Sequence, residues 1–206
     1  MAPADLQRMA LFGGTFDPVH AGHIHIARQA VQELGIHEVV FLPCRRSPHK
    51  EADTDAGPDD RMNMLRLATC GLPWARLSRH DLDSPPPNES WRTASHFKQR
   101  HPDAQLHWIL GADQWQVIHT WARPDLLRQW LVFVVHPRPG AEPPQPRDGW
   151  HALFPGGSEH PASASEIRAQ LAARQGSPHL HPDVQRYIDT AGLYRTPGPH
   201  HAEPPK

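Results

Sequence analysis

Short apolar runs alternate with longer segments of helical periodicity along this chain, and that alternation restricts its fold more than any other feature. Strands alternating with helices of this length are typical of right-handed βαβ units around a parallel sheet. We therefore predict an α/β fold with a doubly wound parallel sheet. The predicted strands are Met9–Phe12, Glu38–Leu42, Arg76–Leu82, Gln105–Leu110 and Leu131–Val135. The predicted helices are His20–Leu34, one that begins at Pro58, Thr93–Arg100, Ser165–Arg174 and Pro182–Thr190.

The sequence of 206 residues shows no internal repeat and no clear domain boundary, so residues 1–195 are predicted to form one domain. Residues 196–206 are rich in proline and histidine, and we expect this tail to be disordered. Ligands of doubly wound sheets bind beyond the carboxyl ends of the strands. We therefore expect the functional residues to follow Phe12, Leu42 and Leu110.

Composition excludes several classes of protein. Lysine plus arginine number 21 and aspartate plus glutamate 22, and this formal net charge of −1 argues against a general nucleic-acid binder. The mean hydropathy is −0.63, and the apolar stretch near Trp130–Val135 is far shorter than the ~20 residues of a membrane span. The first residues lack the apolar run of a secretory signal, and two cysteines cannot form a disulfide framework. These features favour a cytoplasmic protein without a membrane partner, and none of them fixes an oligomeric state.

The segment with the clearest chemistry is residues 13–23, which read Gly-Gly-Thr-Phe-Asp-Pro-Val-His-Ala-Gly-His. Gly13 and Gly14 would let a ligand approach the backbone closely. The following helix start would offer free N–H groups and the positive end of the helix dipole, both suited to phosphate. His20 and His23 are three residues apart, so both can project from one helix face toward that phosphate. The segment is neither a Walker A loop nor a GxGxxG motif.

This segment resembles the (H/T)xGH signature of the nucleotidylyltransferase superfamily, and its longer form resembles the nicotinate-nucleotide adenylyltransferase branch. Four later segments agree with that branch in the same order, and the resemblance covers Leu11 to Tyr194. They are PCRRSPHK at 43–50, DRMNML at 60–65, GAD at 111–113 followed by Trp121, and SASEIR at 163–168. Ser47 replaces a proline of the family pattern, and Ser165 replaces a threonine. The resemblance implies a Rossmann-like nucleotidylyltransferase fold.

The resemblance also implies a reaction, namely transfer of AMP from ATP to the phosphate of nicotinic acid mononucleotide. The products would be deamido-NAD and pyrophosphate, in NAD biosynthesis. His20 and His23 would be the catalytic residues, with His23 steadying charge at the α-phosphate, and magnesium would arrive bound to ATP without dedicated protein ligands. Ser165, as an N-cap, would bind phosphate, Arg168 would neutralise the pyrophosphate, and Asp113 would bind the adenosine ribose. The implied ATP-binding residues are Gly13, Gly14, Thr15, His20, His23, Gly111, Asp113, Ser165 and Arg168.

The mononucleotide contacts are implied by the same resemblance. Trp121 would stack on the pyridine ring, and Thr93 would help to seat the carboxylate of the substrate. The implied substrate-binding residues are Lys50, Arg92, Thr93, Trp121 and Arg138. The sequence departs from the family here, because Ala122 stands where an aromatic residue is frequent and Arg92 where many relatives have tyrosine. Arg45 and Arg46 lie in a further loop matched to this pocket, and we expect no acid within the matched loops.

Each of these residues also has a purely structural interpretation. Ser165 and Asp113 could only cap helices, Arg168 and Lys50 could be solvated surface charges, and Trp121 could belong to the core. Two alternative functions stay open at this point. One is a sister adenylyltransferase acting on nicotinamide mononucleotide or phosphopantetheine. The other is a non-enzymatic metal-binding protein, suggested by the 17 histidines and by His25 close to the two motif histidines.

Overall fold

A computed structural model describes residues 7–45, 54–137, 143–156 and 160–195. Its strands are β1 (Arg8–Gly14), β2 (Glu38–Pro43), β3 (Ala75–Leu77), β4 (Gln105–Gly111), β5 (Leu131–His136) and β6 (Ala152–Leu153). Its longer helices are α1 (Ala21–Leu34), α2 (Pro58–Ala68), α4 (Ser90–Arg100), α7 (Ala164–Ala172) and α8 (Pro182–Ala191). The shorter ones are α3 (His80–Asp83), α5 (Ala112–Gln116), a 3-10 turn at Ile118–Thr120 and α6 (Pro124–Trp130).

The six strands form one parallel sheet in the order β3-β2-β1-β4-β5-β6. The chain therefore winds outward from β1 in one direction to β3 and in the other direction from β4 to β6. The reversal lies between β1 and β4, where Phe12 is in register with Ile109. This arrangement confirms the predicted doubly wound parallel sheet, and it puts the ligand crevice at the carboxyl ends of β1 and β4.

Both faces of the sheet are buried, because alternate residues of each strand point to opposite sides. On one face Ala10 and Phe12 of β1 belong to a core that also includes side chains of α1, α2, α7 and α8. On the other face Met9 and Leu11 belong to a core with side chains of α4, α5 and α6. Helix α1 ends where the sequence predicts, because Gly35 adopts the left-handed conformation (φ 62°) and its N–H bonds to the Ala30 carbonyl.

The predicted strand Arg76–Leu82 is wrong beyond Leu77. Only Ala75–Leu77 pair with β2, and the chain then turns into α3. The Ser78 hydroxyl accepts a hydrogen bond from the N–H of His80 at 3.2 Å, which favours a helix start over strand continuation. Leu82, the apolar residue at the end of the predicted strand, is instead buried as part of α3.

Two helices between β4 and β5 were missed, namely α5 and α6, because both are too short to show a helical period in the sequence. Of the residues predicted to bind substrate, Lys50 and Arg138 lie outside the described residues, as does the tail at 196–206. The single domain through residue 195 stays a prediction. Within the described ranges, no helix has the length and apolar character needed to cross a bilayer.

Candidate active site

The two motif histidines lie together where β1 passes into α1. His20 is the N-cap of α1 and His23 is its third residue. Their ring centroids are 3.8 Å apart, and the ring planes are inclined by 34°. The backbone N–H of His20 donates a hydrogen bond to Nδ1 of His23 at 3.2 Å. A neutral His23 therefore carries its proton on Nε2, the ring atom on the opposite side from the backbone contact.

His20 is a buried, neutral imidazole. Burial, followed in importance by the nearby His160 and His179, lowers the pKa of His20 from 6.5 to about 4. Its Nδ1 has no hydrogen-bond partner within the part of the chain that the structure describes. A buried and unpaired ring nitrogen is costly unless a ligand or an ordered water completes its bonding.

Gly22, which has no side chain, leaves the space in which the His20 ring packs. A Cβ atom at position 22 would lie 3.0 Å from Nδ1 and 3.1 Å from Cε1 of that ring, closer than most real Cβ contacts, so the ring would have to shift. It would also lie 3.5 Å from the Cβ of Ala162, in the loop before α7. The glycine between the two histidines thus favours close packing of the His20 ring and does not serve an unusual backbone angle.

The amino terminus of α1 is less open than the sequence suggests. The N–H of Ala21, the first residue of the helix, donates to the carbonyl of His179 at 2.8 Å. The expectation that all N–H groups at this helix start are free is therefore wrong for Ala21, because the loop before α8 supplies its acceptor. The helix dipole still points its positive end toward His20.

Helix α7 brings Arg168 to this site from the other end of the sequence. The Nη1 atom of Arg168 donates to the backbone carbonyl of Asp17 at 2.8 Å, and Nε pairs with Asp55 at 2.8 Å. The guanidinium side chain is 29% exposed, so it is not a freely solvated surface charge. Its two contacts fix the guanidinium beside the β1–α1 turn.

Ser165 is not the N-cap of α7. That position belongs to Ser163, and Ser165 is the second residue of the helix. The hydroxyl oxygens of the two serines are 2.9 Å apart. The predicted N-cap, Ser165, is therefore wrong by two residues. The helix begins at Ala164 and not at Ser165, and the N-cap is the residue before its first residue.

Two residues that sequence reasoning missed organise the β1–α1 turn. Asp17 is buried, and its carboxylate accepts hydrogen bonds from the N–H groups of Asp55 and Ala56 and from the hydroxyl of Tyr194. Arg61 is 1% exposed and donates from Nη1 to the carbonyls of Thr15 and Cys44, both at 2.7 Å.

The same guanidinium donates from Nε to the carbonyl of Ala56 at 3.2 Å. The sequence did contain a signal for both residues, since Asp17 lies within the motif at 13–23 and Arg61 within the motif at 60–65. Only the folded chain shows that they bond to backbone groups and, in the case of Asp17, to a tyrosine hydroxyl.

The carboxyl end of β4 supplies the second part of the site. Gly111 ends the strand and is the N-cap of α5, and Asp113 is an exposed residue of the first turn of that helix. The interpretation of Asp113 as only a cap is therefore wrong. His136, in register with Gly111 at the end of β5, is 3% exposed and has no described partner at Nε2.

Trp121 is half-buried and meets Trp108 edge to face, with ring centroids 6.0 Å apart. Trp108 in turn lies 3.3 Å from where a Cβ of Gly13 would be, which places both rings near the carboxyl end of β1. Trp121 packs against the edge of the core while keeping partial exposure.

Thr93 and Arg92 lie on α4, and the structure gives them different surroundings. Thr93 is 3% exposed, and its hydroxyl donates to the buried carboxylate of Asp81 at 2.7 Å. Burial raises the pKa of Asp81. The Arg92 side chain is 55% exposed, lies 4.9 Å from the ring of Trp91 and pairs with Glu89 at 3.2 Å. Glu89 shows that the expectation of no acid in these loops is wrong.

Two surface depressions of about 600 Å³ and 590 Å³ lie elsewhere, at the opposite edge of the sheet, where β4 and β5 begin. They contain none of the residues predicted for the site. Among the described residues, no three His, Cys, Asp or Glu side chains converge as ligands of a metal ion. The metal-binding alternative built on His20, His23 and His25 therefore has no site there.

Comparison with known proteins identifies the family. The model of the cytidylyltransferase-like family matches residues 11–170. The nicotinate-nucleotide adenylyltransferase of Bacillus subtilis is 32% identical over 194 residues, which cover 93% of this chain and 100% of the relative. The protein described as a probable nicotinate-nucleotide adenylyltransferase of Neisseria meningitidis serogroup C is 35% identical over 200 residues, covering 92% and 99%.

A solved structure agrees with the fold. The nicotinic acid mononucleotide adenylyltransferase of Plasmodium falciparum, complexed with NaAD, superposes with a TM-score of 0.71 at 20% identity. The match covers 91% of this chain and 97% of that one. The sequence relatives decide between the sister branches, and the chain belongs to the nicotinate-nucleotide adenylyltransferase family of nucleotidyltransferases.

Proposed function

We propose that this chain transfers AMP from ATP to the phosphate of nicotinic acid mononucleotide, with His20, His23, Ser165 and Arg168 acting on the triphosphate. The main support for this proposal is that the first and last motifs of the chain are in contact. Arg168 donates to the Asp17 carbonyl beside the turn that presents the two adjacent imidazoles. In-line attack on the α-phosphorus requires positioning and charge neutralisation more than proton transfer, and this set of cationic and N–H donors supplies both.

His23 is proposed to donate from Nε2 to the α-phosphate. Because the His20 N–H occupies Nδ1 of His23, the neutral ring presents a single, oriented N–H donor. A donor held in place before charge develops on the phosphate oxygens stabilises the transition state without reorganisation. His20, kept neutral by burial, provides the second imidazole.

Arg168 and Ser165 are proposed to hold the phosphates that leave as pyrophosphate. Arg168 is oriented by Asp17 and Asp55, and the exposed Ser165 lies in the first turn of α7, at the positive end of its dipole. Asp113 is proposed to bind the ribose hydroxyls, next to backbone at Gly111. Gly13, Gly14 and Thr15 would line the nucleotide along the turn after β1.

Magnesium is proposed to enter with ATP. The carboxylate of Asp17 already accepts three hydrogen bonds, and that of Asp55 pairs with Arg168. This donor set fits a cation carried by phosphate oxygens and water rather than a carboxylate cage. When bound, the ion neutralises phosphate charge, and the residues of this chain orient the phosphates around it.

On the mononucleotide side, Trp121 is proposed to stack on the pyridine ring, and Thr93, Arg92, Lys50 and Arg138 to contribute to the substrate pocket. Partial exposure of Trp121 next to Trp108 supports a stacking role. We also propose a cytoplasmic location and a single domain through residue 195, because two cysteines are too few for a disulfide framework and the described strands form one sheet.

The experiment is pyrophosphate release from ATP with each acceptor offered separately. Nicotinic acid mononucleotide should support rapid release, nicotinamide mononucleotide much slower release, and phosphopantetheine none. Identification of deamido-NAD as the dinucleotide product completes the test. Equal use of the acid and amide mononucleotides would contradict the proposed substrate.

A further inference from the structure

Three histidines from three different segments gather beside the amino terminus of α1, and the proposed mechanism does not use them. They are His25 of α1, His160 in the loop before α7 and His179 in the loop before α8. The ring centroid of His160 is 5.5 Å from that of His25 and 5.5 Å from that of His179. We refer to these three residues as the histidine cluster.

The cluster is built into the phosphate end of the site by backbone contacts. His179 accepts the N–H of Ala21 through its carbonyl, which ties its loop to the first turn of α1. Nδ1 of His160 accepts the N–H of Ala162, so a neutral His160 carries its proton on Nε2. Ala162 packs beside Gly22, and its loop leads directly into the first turn of α7. The cluster therefore lies between the positive ends of two helix dipoles.

An independent observation points to a ligand at this place. His20 is 8% exposed, and its Nδ1 has no described hydrogen-bond partner. That nitrogen faces the side of the helix where Gly22 meets Ala162, which is the side of the cluster. The pKa of His160 is lowered by burial and by His25 and His179, so its neighbouring histidines oppose its protonation. A polyanion would reverse that repulsion.

We propose that the histidine cluster is a binding surface for the terminal phosphates of ATP, which are released as pyrophosphate. The inference rests on the proposed use of ATP and adds three residues to the triphosphate contacts of His20, His23 and Arg168. Imidazole suits this position because one N–H can donate to a phosphate oxygen in the neutral ring and two can in the charged ring. The ligand class is an inorganic or nucleoside polyphosphate, recognised by its anionic tail and not by its base.

Equilibrium binding tests the proposal without relying on turnover. Binding of tripolyphosphate, ATP and AMP would be measured by calorimetry for the full chain and for His160→Ala and His179→Ala, which remove the N–H donor. Each substitution should raise the Kd of tripolyphosphate and of ATP about tenfold, since hydrogen bonds to charged groups have this effect. The Kd of AMP should stay unchanged. His151→Ala is the matched control, because that exposed histidine lies at the opposite edge of the sheet.

A second variant separates ligand binding from a structural role. His160→Lys supplies a cationic N–H donor and should restore much of the tripolyphosphate affinity that His160→Ala loses. Equal losses in the Lys and Ala variants, equal weakening of AMP, or unchanged tripolyphosphate binding would each overturn the proposal. If the protein binds ATP with this pattern but does not adenylylate nicotinic acid mononucleotide, the proposed acceptor fails while the cluster stands.

Discussion

The guanidinium of Arg168 donates a hydrogen bond to the backbone carbonyl of Asp17, 151 residues earlier in the sequence, at 2.8 Å. This contact joins the last motif of the chain to the first. It holds α7 against the β1–α1 turn and fixes a cation beside His20 and His23 before any phosphate arrives. Such preorganisation is how a site for phosphoryl transfer limits the reorganisation needed in the transition state.

Arg168→Ala should raise the KM for ATP far more than the KM for nicotinic acid mononucleotide, because the lost cation faces the triphosphate. We expect an increase of about tenfold or more in the KM for ATP, measured by initial rates with each substrate varied in turn. Arg186→Ala, on the exposed face of α8, is the control and should change neither constant. A defect confined to the mononucleotide KM would show that α7 faces the other substrate.

His23→Ala should lower kcat about 100- to 1,000-fold, as the loss of a positioned donor commonly does. The fold should survive, because the ring is only partly buried at a helix start. Single-turnover rates check the loss of turnover, and circular dichroism checks that the fold survives. Near-normal turnover in this variant would rule out the role given to His23, and His151→Ala should behave as wild type.

Gly22→Ala should lower kcat with little loss of helix, since the added Cβ would meet the His20 ring at about 3.0 Å and displace it. A misplacement of about 1 Å can reduce kcat about a hundredfold, and the smaller shift expected here should reduce kcat by roughly tenfold. Gly156→Ala is the control, because no atom lies within 4 Å of a Cβ at that position. Unchanged kcat for Gly22→Ala would mean that the His20 ring can move without consequence.

Stability should fall as the pH falls from about 6.5 toward 4. Burial lowers the pKa of both His20 and His136 from 6.5 to about 4, so in this range the unfolded chain binds protons that the native chain excludes. Above pH 6.5 their contribution is constant. Each histidine should remove about 2 kcal/mol of unfolding free energy at pH 5.

Urea unfolding at pH 7.5 and pH 5 measures this loss. His136→Gln should lose about 2 kcal/mol less than wild type between the two pH values, because the contribution of His136 is gone. His151→Gln, which removes an exposed histidine, should leave the difference unchanged. An identical pH dependence in His136→Gln and wild type would contradict the buried neutral state of His136.

The enzyme should prefer nicotinic acid mononucleotide to its amide by about a hundredfold or more in kcat/KM, since donors arranged for a carboxylate stay poorly paired with a neutral group. Arg92→Ala should reduce that preference about tenfold if Arg92 contacts the carboxylate. Because Glu89 pairs with Arg92, Glu89→Gln is the informative partner variant. An unchanged ratio in Arg92→Ala would remove Arg92 from the pocket and leave the branch assignment intact.

The sequence by itself determined the sheet and the motifs. Apolar runs at β1, β2, β4 and β5 and the helical period of α1 predicted those elements, because each buries one or both faces and its pattern records that burial. The spacing of His20 and His23 predicted one shared helix face. The local pattern failed at Arg76–Leu82, because the chain leaves β3 after Leu77 and turns into the short helix α3, which hydrophobicity alone cannot distinguish from a strand.

Only the tertiary structure decided how the motifs act on one another. Asp17 and Arg61 bond to backbone and a tyrosine hydroxyl from distant segments, and no periodicity reports such contacts. The carbonyl of His179 accepts the N–H of Ala21, which the sequence predicted to be available to phosphate. The lowered pKa of His20 depends on burial and on the nearby His160 and His179. Hydrogen bonding and desolvation depend on distances between residues far apart in the chain, so these properties exist only once the chain has folded.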